Sequence, residues 1–316
     1  MTRRILGLAI AVLVVVLLWI GYWAVASHLV RQTVEHEVAD AGAHGAVIAC
    51  DTLTWGGFPF RFERDCTGVR ITAEGNRISA GRVLAVLQAW DYSHAVALID
   101  GPVVLDLPAV PLQATLTHGR ALASVRRLGD AGWRASIDVP QFKADRFGSA
   151  DHLLVSARMT DTALADIALN AERLTLSNLA IPPLALDAVS FDASLPSAAL
   201  NRDMAHVLAQ SGETITIRAL DLRKGDLALS ASGTIGVDAA GYPSGTLLTS
   251  CNRLDLLMQT LRTDFGMKDE DVQSLSAMIG ILNGGKADGP AKLNLIAKDG
   301  KLYWGPVRLA DLPALF

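Results

Sequence analysis

From Ile5 to about Ala26 no charged residue interrupts a run of Ile, Leu, Val, Ala, Gly and Trp, and this stretch limits the chain more than any other feature. As a helix it is long enough to cross the ~30 Å of hydrocarbon in a bilayer, and nothing later in the chain matches it. Arg3 and Arg4 precede it, while Glu35, Glu37 and Asp40 follow. Positive charge stays on the cytoplasmic side, so the expected order is a cytoplasmic tip over residues 1–4, a transmembrane helix over 5–26 and the remainder outside the cytoplasm. Trp19, Tyr22 and Trp23 form an aromatic belt at the outer end. A cleaved secretory signal is the rival reading, because Ala24-Val25-Ala26 is an A-x-A site placed after the apolar run. The run is longer than the ~7–15 residues of a signal h-region, which favours an anchor. In both readings the body is exported.

Composition adds a surplus of apolar surface: 51% of the 316 residues are hydrophobic and the mean hydropathy is +0.32, enough for a large core in the body. A net charge of −4 gives no basic face of the kind that nucleic acid requires. Cys50 and Cys66 flank a short segment in a cysteine-poor chain. An oxidising compartment lets them pair, and a disulfide is expected. Two buried free thiols are the alternative; no His or third Cys lies nearby at zinc-finger spacing. Cys251 follows the apolar run Gly245-Thr246-Leu247-Leu248 and reads as a buried, inert thiol.

Leu29, Val30, Val34 and Val38 recur on one side of the segment after the span, with Arg31, Glu35 and Glu37 elsewhere, which predicts a juxtamembrane helix over residues 27–45. From Cys50 onward the texture changes to short period-2 segments separated by Gly, Pro, Asp and Asn, the pattern of antiparallel strands. Such runs fall at Arg134 to Val139, Leu153 to Ala157, Ala165 to Asn170 and Leu184 to Asp192. Thr214 to Leu222 and Leu227 to Gly233 form a hairpin around Lys224-Gly225-Asp226, and Lys298-Asp299-Gly300-Lys301 predicts a second, two-residue hairpin turn. Helical spacing covers Ala198 to Ala209, Leu254 to Asp264 and Asp269 to Leu282, with Gly212 closing the first helix and Asn283-Gly284-Gly285 the third. The fold class is therefore mainly β with a few helices: an N-terminal transmembrane helix, then an antiparallel sheet domain over 46–316 with one polar and one apolar face, curved into a groove or closed into a sandwich.

Trp55-Gly56-Gly57-Phe58-Pro59-Phe60-Arg61-Phe62, bracketed by Cys50 and Cys66 directly after the anchor, resembles the N-terminal signature of a family of bacterial membrane-anchored proteins catalogued as a domain of unknown function. The C-terminal third, toward residues 212–316, is similar to the AsmA-like envelope proteins in its strand, hairpin, two helices and closing strand pair: Gly233 to Val237, Gly245 to Ser250, the two last helices, then Asp299-Gly300 and Gly305-Pro306. The resemblance implies a single-pass protein of the bacterial inner membrane with its body in the periplasm. It also implies a β-sheet with an apolar concave face, in a group linked to outer-envelope lipid handling whose larger members bridge two membranes. This chain is short for such a bridge.

Candidate sites are few. Phe58, Phe60 and Arg61 read as a membrane-proximal lip, two aromatics for acyl chains and a guanidinium for phosphate, or as a proline-set turn pinned by the disulfide. Trp19 and Trp23 read as interfacial, and Trp55, Trp90, Trp133 and Trp304 as core. Gly280 to Lys286 fits G-x-x-x-x-G-K, but Ala287 stands where Ser or Thr must hold magnesium and a helix precedes it. His36-Glu37 has Asp40 where a zinc protease has its second His. The histidines at 28, 36, 44, 94, 118, 152 and 206 show no close ligand spacing, and Gly-x-Ser-x-Gly and Ser-x-x-Lys are absent. No catalytic residue, metal or cofactor is expected. Three functions remain: a lipid- or hydrophobe-binding envelope protein, a structural adaptor for another envelope protein through strand addition, and an exported hydrolase with a dispersed site.

Overall fold

The computed structural model describes residues 2–108, 112–129, 132–159, 163–178, 182–200, 204–282, 290–304 and 307–316. The chain forms two compact units, Met1–Arg126 and Arg127–Phe316, and the sheet is antiparallel throughout both.

The N-terminal unit begins with a single helix, α1 (Thr2–Ala43), in which span and juxtamembrane segment are continuous. Ile5 to Leu18 are exposed on every side of it, and an 18-residue window reaches a mean hydropathy of 2.8. A helix apolar all round and without protein cover has the character of a membrane span. Beyond Gly21 the pattern becomes one-sided, with Ala26 buried and Val30, Val34 and Val38 half-buried.

Seven strands follow: β1 (Ala46–Ala49), β2 (Thr52–Gly56), β3 (Arg61–Ala73), β4 (Asn76–Gln88), β5 (Asp91–Leu107), β6 (Leu112–Thr117) and β7 (Ala121–Arg127). β1 and β2 share the outer side of β3, and β3, β4 and β5 run as a meander whose last strand pairs both β6 and β7. The strands are longer than the short segments expected, β5 reaching 17 residues, because the glycines inside them do not end them. β3 and β4 keep the same register on both sides of Gly68 and Gly81, while opposite Gly81 the β4–β5 register shifts by one residue at Gly101-Pro102, a bulge. Gly68 has φ +57, and a Cβ there would lie 1.9 Å from the Asp51 carboxylate, so this position admits no side chain. The expected disulfide is present between Cys50 and Cys66, with Cα atoms 5.5 Å apart; it ties the β1–β2 connection to the buried face of β3.

The C-terminal unit is a meander in sequence order. Its strands are β8 (Trp133–Ala144), β9 (Gly148–Met159), β10 (Leu164–Leu176), β11 (Leu184–Pro196), β12 (Ile215–Lys224), β13 (Leu227–Val237), β14 (Pro243–Cys251), β15 (Ala291–Lys298), β16 (Lys301–Trp304) and β17 (Val307–Asp311), each paired to the next. Both predicted turns are in place: Lys224 pairs Leu227, and Lys298 pairs Lys301 with Asp299 and Gly300 both at positive φ, as a type I′ turn demands.

Register assigns the faces. Arg134, Arg158, Asp166 and Asp192 share one side of β8–β11, while Ile137, Val155, Ile167 and Phe191 share the other. The apolar side is covered at two places. At one, α2 (Met204–Ser211) sets Leu208 against Ala165, Leu195 and Val237. At the other, α3 (Leu254–Thr263) and α4 (Asp269–Leu282) bring Leu254, Met258, Val272 and Ile279 onto Ala291. Asp269, Glu270 and Asp271 fill the first turn of α4, where carboxylates favour the helix dipole. The first of these helices was expected as one piece over Ala198 to Ala209. It is instead a 3-10 turn (Ser197–Leu200) followed by α2, since Pro196 and the strand end before it fix the entry. Gly212 closes α2, its N–H donating to Leu208 O at 3.0 Å with φ +68. The expected Asn283-Gly284-Gly285 stop and Gly305-Pro306 lie outside the described residues. Leu254 and Ile279 are the largest fully buried side chains among the described residues, whereas Ile137, Leu153, Val155, Leu169, Val189 and Phe191 are only half-buried.

Candidate functional site

On α1 the spacing i, i+3, i+4 places Trp19, Tyr22 and Trp23 on one face, and the small Ala26 one turn further lets a sheet approach closely. Two tips of the N-terminal sheet meet that face. The first is the β2–β3 loop, Gly57 to Phe60, with a cis Phe58–Pro59 bond. Gly57 has φ +99, and a Cβ there would lie 2.4 Å from Arg61 O, so the tight turn that carries the Arg61 N–H to Gly57 O bond of 2.9 Å requires glycine. The second tip is the β4–β5 turn, Ala89-Trp90, held by an Ala89 N–H to Phe60 O bond of 3.0 Å.

The helix aromatics tie both tips down. Trp19 Nε1–H donates to Pro59 O at 3.0 Å, Trp23 Nε1–H to Arg61 O at 3.2 Å and Tyr22 Oη–H to Ala89 O at 2.6 Å. The rings interlock as well. Trp23 lies edge-on to Phe58 at 5.1 Å and stacks on Phe62 at 5.9 Å, Phe60 lies 6.3 Å from Trp19 and 6.4 Å from Trp90, and Phe62 stacks on Tyr92 at 6.1 Å. Such offset and edge-to-face pairs are the favourable geometries for aromatic rings. Under them Ala26, Phe62 and Ala89 are buried.

Phe58 and Phe60 remain 55% and 58% exposed and the Arg61 side chain 60% exposed; Arg61 Nε pairs with Glu63 at 2.5 Å. The three residues of the expected lip thus lie together beside the aromatic belt. Trp90 belongs to the same cluster and corrects the expectation that it is core, since it is 61% exposed. It sits in a turn that carries no Gly, Pro or Asn. The available signal was Asp91, whose carboxylate accepts from Ser93 N–H at 3.0 Å and Ser93 Oγ at 2.5 Å, an Asx turn. Trp55 is half-buried, with the Arg31 and Arg64 guanidiniums 5.3 and 5.9 Å from its ring. Trp133 and Trp304 are half-buried too.

Directly past the belt, α1 and the sheet diverge around an apolar groove of about 750 Å³ that follows the helix from Gly21 to Val34 and is walled by Tyr22, Val25, Leu29, Val30, Leu87 and Tyr92. Its hydroxyls are all hydrogen-bonded: Thr33 donates to Leu29 O at 3.0 Å, the Tyr22 and Tyr92 hydroxyls are 2.5 Å apart, and desolvation together with that bond pushes the Tyr92 phenol up to about 12. The C-terminal unit holds a second apolar cavity of about 400 Å³ between β12–β16 and the helices, lined by Leu222, Leu257, Leu261, Met267, Leu295 and Trp304. Trp304 Nε1 is buried with no partner among the described residues. Cys251 lies beside this cavity, buried, and desolvation raises its thiol above the ordinary range, which disfavours the nucleophilic thiolate.

Polar chemistry concentrates on the opposite face. Asp166 accepts from Arg218 at 2.6 Å, Ser194 at 2.6 Å and Arg158 at 2.9 Å, and these bonds hold its carboxyl far below the usual range. His152 Nε2 lies 2.7 Å from Asp138, but among the described residues no serine or cysteine is hydrogen-bonded to its other ring nitrogen, so the pair lacks a nucleophile. Among the described residues no three His, Cys, Asp or Glu converge as a metal site.

No protein with a curated description matches the chain. Over residues 23–313 it matches the family described as uncharacterized protein conserved in bacteria, DUF2125, whose expected signature cysteines are the pair bridged here. The chain belongs to that bacterial family.

Proposed function

We propose that this protein is a non-enzymatic, single-pass protein of the bacterial inner membrane whose periplasmic body holds phospholipid acyl chains beside its own anchor. The observation that carries the reading is the groove along α1: about 750 Å³, walled by Val25, Leu29, Val30 and Leu87, and beginning at Gly21, within the last turns of the apolar run that ends at about Ala26. Its fourteen residues, Gly21 to Val34, correspond to ~20 Å of helix, somewhat more than the ~15 Å of one hydrocarbon leaflet. An acyl chain can pass from leaflet to groove without crossing water. The half-buried Val155, Leu169 and Phe191 on the C-terminal sheet and the cavity lined by Leu257 and Trp304 favour the same ligand class. The resemblance of residues 212–316 to AsmA-like envelope proteins supports a role in lipid handling at the envelope.

The test is native mass spectrometry of the full chain released from mild detergent, comparing wild type with Leu29→Arg, which sets a cation in the groove from an exposed helix position. Phospholipid adducts carried by the wild type and largely lost in the variant are the expected result. Equal adducts on both proteins, or none on either, would move the reading to an adaptor that binds another envelope protein.

A further inference from the structure

The depth of Trp19 along α1 has a consequence for the two sheet tips. Trp19 lies fourteen residues beyond Ile5, about 21 Å along the helix axis at ~1.5 Å per residue. A hydrocarbon core of ~30 Å entered at Ile5 therefore extends about 9 Å past Trp19, to the level of Val25, and tilting the helix only sets Trp19 deeper. Pro59 O is hydrogen-bonded to the Trp19 indole, and the rings of Phe60 and Trp90 lie within 6.4 Å of each other beside it. The tips are fixed to the helix below the level at which it leaves the hydrocarbon.

Most of their carbonyls match that placement. The carbonyls of Gly57, Pro59, Phe60, Arg61 and Ala89 all accept hydrogen bonds, three of them from the side chains of Trp19, Tyr22 and Trp23. Loops in water need no such partners, whereas inside hydrocarbon each unsatisfied carbonyl costs several kcal/mol. The side chains turned outward are Phe58, Phe60 and Trp90, each more than half exposed. The nearest charges are paired, Arg61 with Glu63 at 2.5 Å and Asp91 with Arg126 at 3.5 Å, as suits the headgroup zone. We infer that the Gly57–Phe60 and Ala89–Trp90 tips are immersed in the leaflet of the phospholipid bilayer nearest the β-domain, so that the sheet is seated in the membrane it is anchored to. This rests on the reading of residues 5–26 as a span, and it places the lower end of the groove at acyl-chain depth.

Nitroxide labels test it in the full chain, reconstituted in vesicles of phosphatidylcholine and phosphatidylglycerol with Cys251→Ser as background; Cys50 and Cys66 are bridged and do not react. Labels go in turn on Phe60→Cys, Trp90→Cys, the mid-span Val12→Cys and the exposed Thr72→Cys, eleven residues along β3 from Arg61. Collision with a water-soluble nickel chelate is expected to be several-fold lower at 60 and 90 than at 72, and collision with oxygen higher. If either tip label matches Thr72 while Val12 is shielded, the immersion is wrong and the anchor stands. If Val12 also matches Thr72, the span reading fails and takes the immersion with it. Lipid adducts in the groove are read separately, so their absence alone does not touch this result.

Discussion

Around Phe62 and Leu87 the apolar face of the N-terminal sheet is covered by α1, a helix whose preceding turns carry exposed leucine, isoleucine and valine on every side. In the C-terminal unit the corresponding face is covered at Ala291 by α3 and α4 and at Ala165 and Leu195 by α2, helices that belong wholly to that unit. The first cover is thin and aromatic, with Ala26, Phe62 and Ala89 as its buried members; the second is aliphatic and deeper, with Leu254 and Ile279 sealed. A sheet with one apolar face must bury it against something, and here one unit carries its own lid while the other is covered by the end of a helix long and apolar enough to cross a membrane. The difference places the sealed core in the C-terminal unit, and under the proposed function lipid access falls to the N-terminal one.

If the C-terminal lid is a true core, its truncation is the most costly change in the molecule. Leu254→Ala removes a side chain that is 0% exposed and belongs to one buried cluster with Val272, Leu275 and Ile279 of α4 and with Ala291, and a loss of about 2–5 kcal/mol is expected for a large-to-alanine change at such a site. Hydrogen exchange should show lost protection in β13–β15 with β3–β5 unaffected. Loss in both units alike would mean that the two lids are not energetically separate.

The disulfide makes the converse comparison. The Cys50–Cys66 bridge closes the loop that carries the Gly57–Phe60 tip, and Cys50→Ser should cost about 2–4 kcal/mol in the unfolding of β1–β4 under oxidising conditions. In reductant the wild type and variant should coincide. A variant with an unchanged unfolding midpoint in both conditions would leave the tip dependent on its Trp19, Tyr22 and Trp23 hydrogen bonds alone.

The same contrast explains what could be read without coordinates. The Lys224–Leu227 and Lys298–Lys301 turns were legible because a two-residue hairpin is set by its own φ angles, Asp299 and Gly300 supplying the positive pair. The boundaries of α3 and α4 were legible from spacing and from Asp269, Glu270 and Asp271. Strand length was not, because Gly68 and Gly101-Pro102 look like breaks and only pairing with neighbouring strands reveals that β3 and β5 continue through them. The site divides along the same line. Phe58, Phe60 and Arg61 stand next to one another in the chain and could be singled out. Trp90 comes to them only through the β3–β4 register, which matches Arg61 with Gln88, and a long-range register leaves no local trace. The groove could not be read at all, since it depends on the angle between a helix and a sheet.

The smallest expected effect belongs to the polar face, which neither lid covers. Asp166 joins β9, β10 and β12 through Arg158 and Arg218, with Ser194 of β11 as a third donor, and the Arg218, Ser194 and Arg158 bonds hold its carboxyl below the unfolded value of ~3.9. A depressed carboxylate contributes stability that is fully present above its unfolded pKa and lost as pH falls through that value toward the folded one. Asp166→Asn should therefore be less stable than wild type at pH 7, and the gap should narrow toward pH 3, where the carboxyl of the unfolded chain begins to take up its proton while the folded one still does not. Arg158 and Arg218 are 53% and 40% exposed, so solvent screening limits the neutral-pH gap to about 1 kcal/mol or less. Urea midpoints of both proteins at pH 7 and pH 3 measure it. A gap of the same size at both pH values would mean that Asp166 acts by the shape of its hydrogen bonds and not by its charge, in which case the arginine ladder is a register device that any acceptor at position 166 can maintain.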